Sequence, residues 1–215
     1  IPFHPYYTVK DIMGAVVFLF IFSIILFFLP GMGGYFLEAN NFIPANPLQT
    51  PTHIAPLWYF TAFYSILRAT TEDFMWFLRL GLVVYMILAI SSVKQNHFKF
   101  AIAVIGALIF VAMFMLEAKI WGVALMAISV MIFILLPWLD QSPVKSIRYR
   151  GPLYKTALTL FVICFLILSI LGTQPVTTLY TIMAQICTLI YFAFFLLMPW
   201  YTAFDKTKPE PERVG

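Results

Sequence analysis

The sequence predicts an all-α protein, a polytopic membrane helical bundle of six transmembrane spans plus one short interfacial helix. Three observations predict it. Hydrophobic residues make up 62% of the 215 and charged residues 10%, with a mean hydropathy of +0.94. That is too little charge to cover the surface of a soluble domain of this size. Six segments approach the ~20 apolar residues that a span needs. Between the first two of them lies Ile43–Tyr64, IPANPLQTPTHIAPLWYFTAFY, which carries four prolines, one histidine and no charge. Proline lacks an amide donor and disfavours helix in the residue before it, so the backbone up to Pro56 is expected to be irregular. Irregular backbone beside a membrane persists where it is buried in protein or lines a cavity, which makes this stretch the first candidate site.

The spans are expected at Asp11–Leu29, Phe74–Ser92, Phe98–Leu116, Ile120–Leu139, Tyr154–Leu171 and Thr178–Phe204. Pro30-Gly31 stops the first. Val93–His97 is short enough to join the second and third as a tight helical hairpin. Pro143 and Gly151-Pro152 separate the fourth from the fifth, and Gly172 and Pro175 separate the fifth from the sixth. Ala55–Thr70 carries Trp58, Tyr59, Phe63, Ile66 and Leu67 at helical spacing, yet is too short to span, so it is read as an amphipathic helix at the interface. The membrane bundle covers 1–204, and 205–215 reads as an exposed, disordered tail. The chain begins IPFHPYY with no signal-peptide pattern, and is expected to start within a longer protein.

Six spans put both ends on one side. That side holds Lys10, Lys94, Lys99, Lys145, Arg148, Arg150, Lys155, Lys206, Lys208 and Arg213, ten of the 13 basic residues. The other side holds Arg68, Arg79 and Lys119. The positive-inside rule places both ends in the cytoplasm and the proline-rich loop on the outer face. The net charge of +4 sits in loops between spans, so it is no nucleic-acid signal. Cys164 and Cys187 lie within apolar runs and read as small apolar side chains, with no disulfide framework and no metal motif.

The segment PANPLQTPTHIAPLWYF resembles the Pro-Glu-Trp-Tyr loop of cytochrome b, the membrane subunit of quinol–cytochrome c reductase (complex III). IPFHPYYTVKDIMG resembles the start of that family's fifth helix, and LPWLDQSPVKSIRYRGPLYK the link between its sixth and seventh helices in bacterial members. GTQPV before a long last helix completes the likeness, which is to the C-terminal half of the family. There are two departures. Leu57 stands where the family pattern has Glu, and Phe74–Leu116 looks like an inserted pair of spans.

The resemblance implies a bacterial inner-membrane protein acting in quinol oxidation coupled to proton translocation. Its cofactors would be quinone and quinol, with two b-type haems ligated by the absent N-terminal half. Its partners would be that half, a Rieske iron–sulfur protein, cytochrome c1 and membrane lipid, in a dimeric complex. The chain alone is not expected to be active. The outer quinol pocket would use Pro56, Leu57, Trp58, Tyr59, Phe60 and Tyr64, and the inner quinone pocket Phe3, Lys10 and Asp11.

Each assignment has a plainer rival. The loop aromatics also suit an interfacial belt. Asp11 also suits the capping of a helix start. Glu72 and Asp73, the acids nearest the loop, read as a solvated helix end, with relocated proton acceptance as the alternative to it. A leucine at position 57 cannot act as a base. His4, His53 and His97 all lie outside the spans, so haem ligation by this chain is not expected; His53 would support the loop through hydrogen bonds. Arg68 matches a family arginine and is expected to fix the proline-rich loop rather than contact substrate. Arg79 lies inside a span, where snorkelling to the interface is the default expectation. At the level of the whole chain, the rivals are a non-catalytic scaffold or assembly subunit derived from this family, and a small transporter. The absence of an inverted repeat and the scarcity of intramembrane charge oppose the transporter.

Overall fold

The architecture comes from a computed structural model that describes residues 2–32, 39–49, 54–144 and 146–209. His53 and the end of the tail lie outside the described residues. The described residues form helices, turns and irregular backbone, with no strand among them. Six helices are long and apolar enough to cross a membrane, so the chain is a multi-pass membrane protein. The chain divides into two compact units, 1–58 and 59–215.

The first unit contains α1, Tyr6–Phe28, a 3-10 turn at Ala39–Phe42 and the proline-rich stretch. Helix α1 starts five residues earlier than the expected Asp11. It is apolar all round with no buried residue, the pattern of a helix that meets lipid or other subunits. Residues 43–49 and 54–57 carry no helix, as the prolines dictate.

The second unit begins with α2, Thr61–Ala69. It continues with α3 (Glu72–Ser92), α4 (Asn96–Met115), α5 (Ala118–Met131), α6 (Leu136–Leu139), α7 (Pro152–Leu171), α8 (Thr178–Leu196) and α9 (Met198–Phe204). Helices α5 and α6 form one spanning rod interrupted by a 3-10 turn at Ile132–Leu135. Pro137 supplies the reason. It cannot donate to the Phe133 carbonyl, which instead accepts from the Leu136 N–H three residues on.

The last span is shorter than expected. It stops at Leu196, and α9 restarts with Pro199 in its first turn, where a missing donor is tolerated. Asp205, taken as the start of a disordered tail, is held in place. Its carboxylate accepts the N–H groups of Leu153 (3.2 Å) and Tyr154 (3.3 Å) at the start of α7. The Lys208 N–H donates to the Tyr149 carbonyl at 2.7 Å.

The core gathers around α2, which packs on α5, α7 and α8. Ala62, Ile66 and Ala69 meet Cys164, Leu168 and Leu171 of α7 and Ala184, Cys187, Tyr191 and Phe195 of α8. The segment was recognised from the helical spacing of Trp58, Tyr59, Phe63, Ile66 and Leu67. Of these only Ile66 is fully buried, and Trp58 and Tyr59 precede the helix. Thr61, Ala62, Ser65 and Ala69 share the buried face. Helices surrounded by lipid gain little from hiding large apolar groups, and associate through small residues that let backbones approach.

The hairpin α3–α4 is joined to this core. Met75 packs with Met113 and Ala118, and Trp121 lies against them. At its other end Tyr85 meets Trp200 edge to face at 5.7 Å, and the Trp200 indole donates to Ser92 Oγ at 2.7 Å. Arg79 finds a partner inside the hairpin. It donates to the Met113 carbonyl at 2.6 Å, near the C-terminus of α4, where a cation complements the helix dipole. Its guanidinium lies 4.1 Å from the centroid of Phe114 and 4.9 Å from that of Trp76.

Two glycines set how closely α2 seats. A Cβ on Gly122 of α5 would stand 2.9 Å from the Leu67 carbonyl oxygen, and one on Gly172, just past α7, would run into the Thr61 carbonyl. Both obstacles are backbone and cannot rotate away. Gly122→Ala and Gly172→Ala are expected to lose roughly 1–3 kcal/mol each. Gly14→Ala and Gly81→Ala, with open space around them, are expected to stay within about 0.5 kcal/mol. Thermal unfolding of the full-length protein in detergent reads the difference.

Candidate functional site

The candidate outer site is carried by the backbone that runs into α2. Pro56, Leu57 and Trp58 end the first unit, and Tyr59, Phe60 and Tyr64 open the second. In the first unit Pro56 and Leu57 are half-buried, while Trp58 is 55% exposed. In the second unit Tyr59 is 58% exposed and Phe60 38%. The Tyr64 N–H donates to the Phe60 carbonyl at 3.0 Å, which sets Tyr64 one turn along from Phe60. Phe60 meets Phe63 at 5.8 Å, and Phe63 reaches Phe165 of α7 at 6.0 Å. Phe60 therefore stands on a ring stack rooted in the bundle.

What fixes α2 beneath them is a set of polar contacts. Ser65 Oγ donates to the Leu168 carbonyl at 2.6 Å. Arg68 donates to the Gln174 carbonyl at 2.9 Å and the Gly172 carbonyl at 3.4 Å, and lies over the Tyr64 ring at 5.5 Å. Gln185 of α8 donates to the Ala69 carbonyl and to Thr71 Oγ1, both at 3.1 Å. The loop that Arg68 bonds is the one between α7 and α8, whereas the proline-rich loop was the one expected. A small cleft opens here among Ser65, Arg68, Ala69, Leu171, Tyr180, Thr181 and Ala184, with room for about one water molecule.

Glu72 has a definite partner although its side chain is exposed. Its carboxylate accepts the Ala118 N–H at 3.2 Å and so caps the first turn of α5. Asp73 is exposed.

The candidate inner residues sit in the first unit. Phe3 stacks on Tyr7 at 5.8 Å, and Lys10 Nζ lies 5.9 Å from the Tyr6 ring centroid. Asp11 follows Lys10, and both are exposed. The capping role weighed for Asp11 does not hold. The N-cap is Pro5, the first turn contains no acid, and Asp11 lies in the second turn.

His4 Nδ1 is 3.3 Å from Thr8 Oγ1, and His97 packs on the Phe98 ring at 4.5 Å. Each is local to one helix start. His97, expected in a loop outside the spans, lies in the first turn of α4, a helix long and apolar enough to cross a membrane.

A second polar cluster was not foreseen. Asp140 pairs with the buried Arg150 guanidinium, which stacks over Tyr154 at 4.2 Å. The Gln141 N–H donates to the Thr202 hydroxyl at 3.1 Å. The only hint in the sequence is an acid and a base ten residues apart across a proline-containing link. Arg68→Ala is expected to lose about 1–3 kcal/mol of stability by orphaning the carbonyls it serves. Hydrogen exchange should speed up at 172–176 with little change in α4.

A family model described as cytochrome b(C-terminal)/b6/petD matches this chain in two stretches, 44–119 and 107–192. A protein named cytochrome b from Allochromatium vinosum is 48% identical over 214 residues, covering 100% of this chain and 42% of its own length. Cytochrome b from Rhodospirillum rubrum is 36% identical over 216 residues, covering 100% and 41%. A solved structure, a hyperthermophilic respiratory complex III, aligns with a TM-score of 0.62 and 30% identity, over 95% of this chain and 39% of that one. The chain spans about two-fifths of the length of the curated relatives it matches. It belongs to the C-terminal cytochrome b family.

Proposed function

We propose that this chain is the C-terminal part of the membrane subunit of a bacterial respiratory quinol–cytochrome c oxidoreductase. The observation that carries the proposal is the run PANPLQTPTHIAPLWYF leading into a helix anchored to three spans. A quinol is a flat ring with two polar oxygens and an apolar tail. It needs an aromatic-lined cleft with a few polar groups at its ends. In this reading Pro56, Leu57, Trp58, Tyr59, Phe60 and Tyr64 line the outer pocket. Phe60 offers a ring edge, and Tyr59 and Tyr64 offer hydroxyls. The anchored α2 keeps Phe60 and Tyr64 in position, because its polar contacts tie it to α7, α8 and the loop between them.

The partners in this reading are the N-terminal half of cytochrome b, a Rieske iron–sulfur protein and cytochrome c1, in a dimeric complex of the inner membrane. The b haems, which accept electrons from quinol when bound, belong to the other half. Both ends of this chain face the cytoplasm, and the loop faces the periplasm. The hairpin α3–α4 is read as an addition to the family's helix plan.

At the inner pocket, Lys10 binds the headgroup and Asp11 delivers a proton to reduced quinone. The second-turn position of Asp11 supports this over helix capping. At the outer pocket, oxidation of quinol releases two electrons and two protons. Leu57 can accept neither proton, so it shapes the pocket while a group elsewhere takes up the protons. A non-catalytic scaffold is the second reading, and Leu57 is the observation that favours it.

The test uses the complete complex. The wild-type complex is expected to oxidise quinol; no turnover would favour the scaffold. Leu57→Glu is expected to add a rising limb to the pH–rate profile as the new carboxylate ionises, with a gain of up to about 10²-fold above it. A profile identical to wild type would show that position 57 does not govern the proton path. Asp11→Asn is expected to slow quinone reduction by about 10²-fold while leaving the first turnover of quinol oxidation intact.

A further inference from the structure

Four exposed cations surround the segment Arg150–Gly151. Arg148 lies in the 3-10 turn just before it, and Lys155 in the first turn of α7 just after it. Lys206 and Lys208 come from far along the chain. The Lys208 N–H donates to the Tyr149 carbonyl at 2.7 Å, and a Cβ on Gly151 would run into the Lys206 carbonyl. All four side chains are exposed.

The acids woven among them are already occupied. Asp140 is paired with Arg150, which is 7% exposed, and Asp205 accepts the N–H groups of Leu153 and Tyr154. Among the described residues Arg150–Asp140 is the sole ion pair, so none of the four outer cations is paired with a described acid. Large apolar groups stand at the same end. Trp138 closes α6 at 69% exposed, and Phe204 closes α9 at 77%.

We propose that this patch binds the anionic headgroup of a membrane phospholipid in the adjacent leaflet. Cations clustered directly beyond the ends of spans meet headgroup phosphates. Trp138 and Phe204 supply the apolar level at which an aromatic side chain meets the acyl region. A soluble acidic partner would need the charges without that apolar level. The bonds that build the patch, Asp205 to α7 and Lys208 to Tyr149, hold four cations from three segments in one place.

The experiment takes the complete complex in neutral detergent, stripped of lipid. Binding of phosphatidylglycerol and phosphatidylcholine is followed by native mass spectrometry. Arg148→Gln, Lys155→Gln, Lys206→Gln and Lys208→Gln are each expected to weaken phosphatidylglycerol binding about 5-fold, the equivalent of about 1 kcal/mol per charge. The combined variant is expected to lose it by about 10²-fold or more, with its melting temperature unchanged. Lys94→Gln/Lys99→Gln, which neutralises basic residues elsewhere on the same side, is expected to leave binding intact.

Equal loss in the Lys94/Lys99 variant would overturn the proposal in favour of diffuse surface charge. Equal binding of phosphatidylcholine would overturn it too, as would full displacement by inorganic phosphate at equal concentration. A combined variant that keeps its lipid and instead loses an acidic subunit would show the patch to be a protein contact.

Discussion

Close seating of one nine-residue helix, α2, is the constraint on which the rest of the structure depends. It lies among three spans at once, and its buried face is built from Thr61, Ala62, Ser65, Ile66 and Ala69. Gly122 and Gly172 clear the space in which the carbonyls of Leu67 and Thr61 meet α5 and the end of α7. With only one large apolar group on that face, Ile66, packing alone cannot fix its register. The polar contacts do so. Ser65, Arg68 and Gln185 each join a side chain to a backbone carbonyl on a different element. Away from water, an unmet carbonyl is expensive, so each of these bonds also opposes sliding.

This scheme explains what the sequence made legible and what it hid. Spans are legible because twenty apolar residues in a row admit few other readings, and five of the six ran to within three residues of the expected bounds at their C-terminal ends. The outlier is the last, where Pro199 starts a separate turn instead of extending α8. The existence of α2 was legible from its aromatics, but its buried face was not. The helical spacing picked out Phe63 and Leu67, whereas Thr61, Ala62, Ser65 and Ala69 are the residues that pack most closely. Size, not hydrophobicity, decides packing where lipid is as apolar as leucine. Asp11 illustrates the opposite case. Its rival role as a cap depended on a helix start that moved five residues upstream.

The candidate site was legible as a position and less so as a mechanism. Proline spacing marks irregular backbone, and the aromatics after Pro56 mark the turn into α2. What gives those aromatics a fixed base is Ser65 to Leu168 and Gln185 to Ala69, pairs separated by 103 and 116 residues. No local pattern encodes such pairs. Glu72 shows the same limit. Its sequence context reads as a solvated helix end, but its carboxylate caps α5, 46 residues away.

The two ends of the second unit use their arginines and lysines differently. At the α2 end, Arg68 and Arg79 donate to carbonyls that have lost helical partners, those of Gly172, Gln174 and Met113. They stand in for water at helix ends, and their positive charge complements the negative ends of helix dipoles. At the opposite end, among the described residues, Arg150 pairs with the Asp140 carboxylate, while Arg148, Lys155, Lys206 and Lys208 are exposed. Two of the three basic residues expected on the outer side, Arg68 and Arg79, are thus bonded within the bundle. At the other end Asp205 ties the last described segment back to α7, beside four exposed cations.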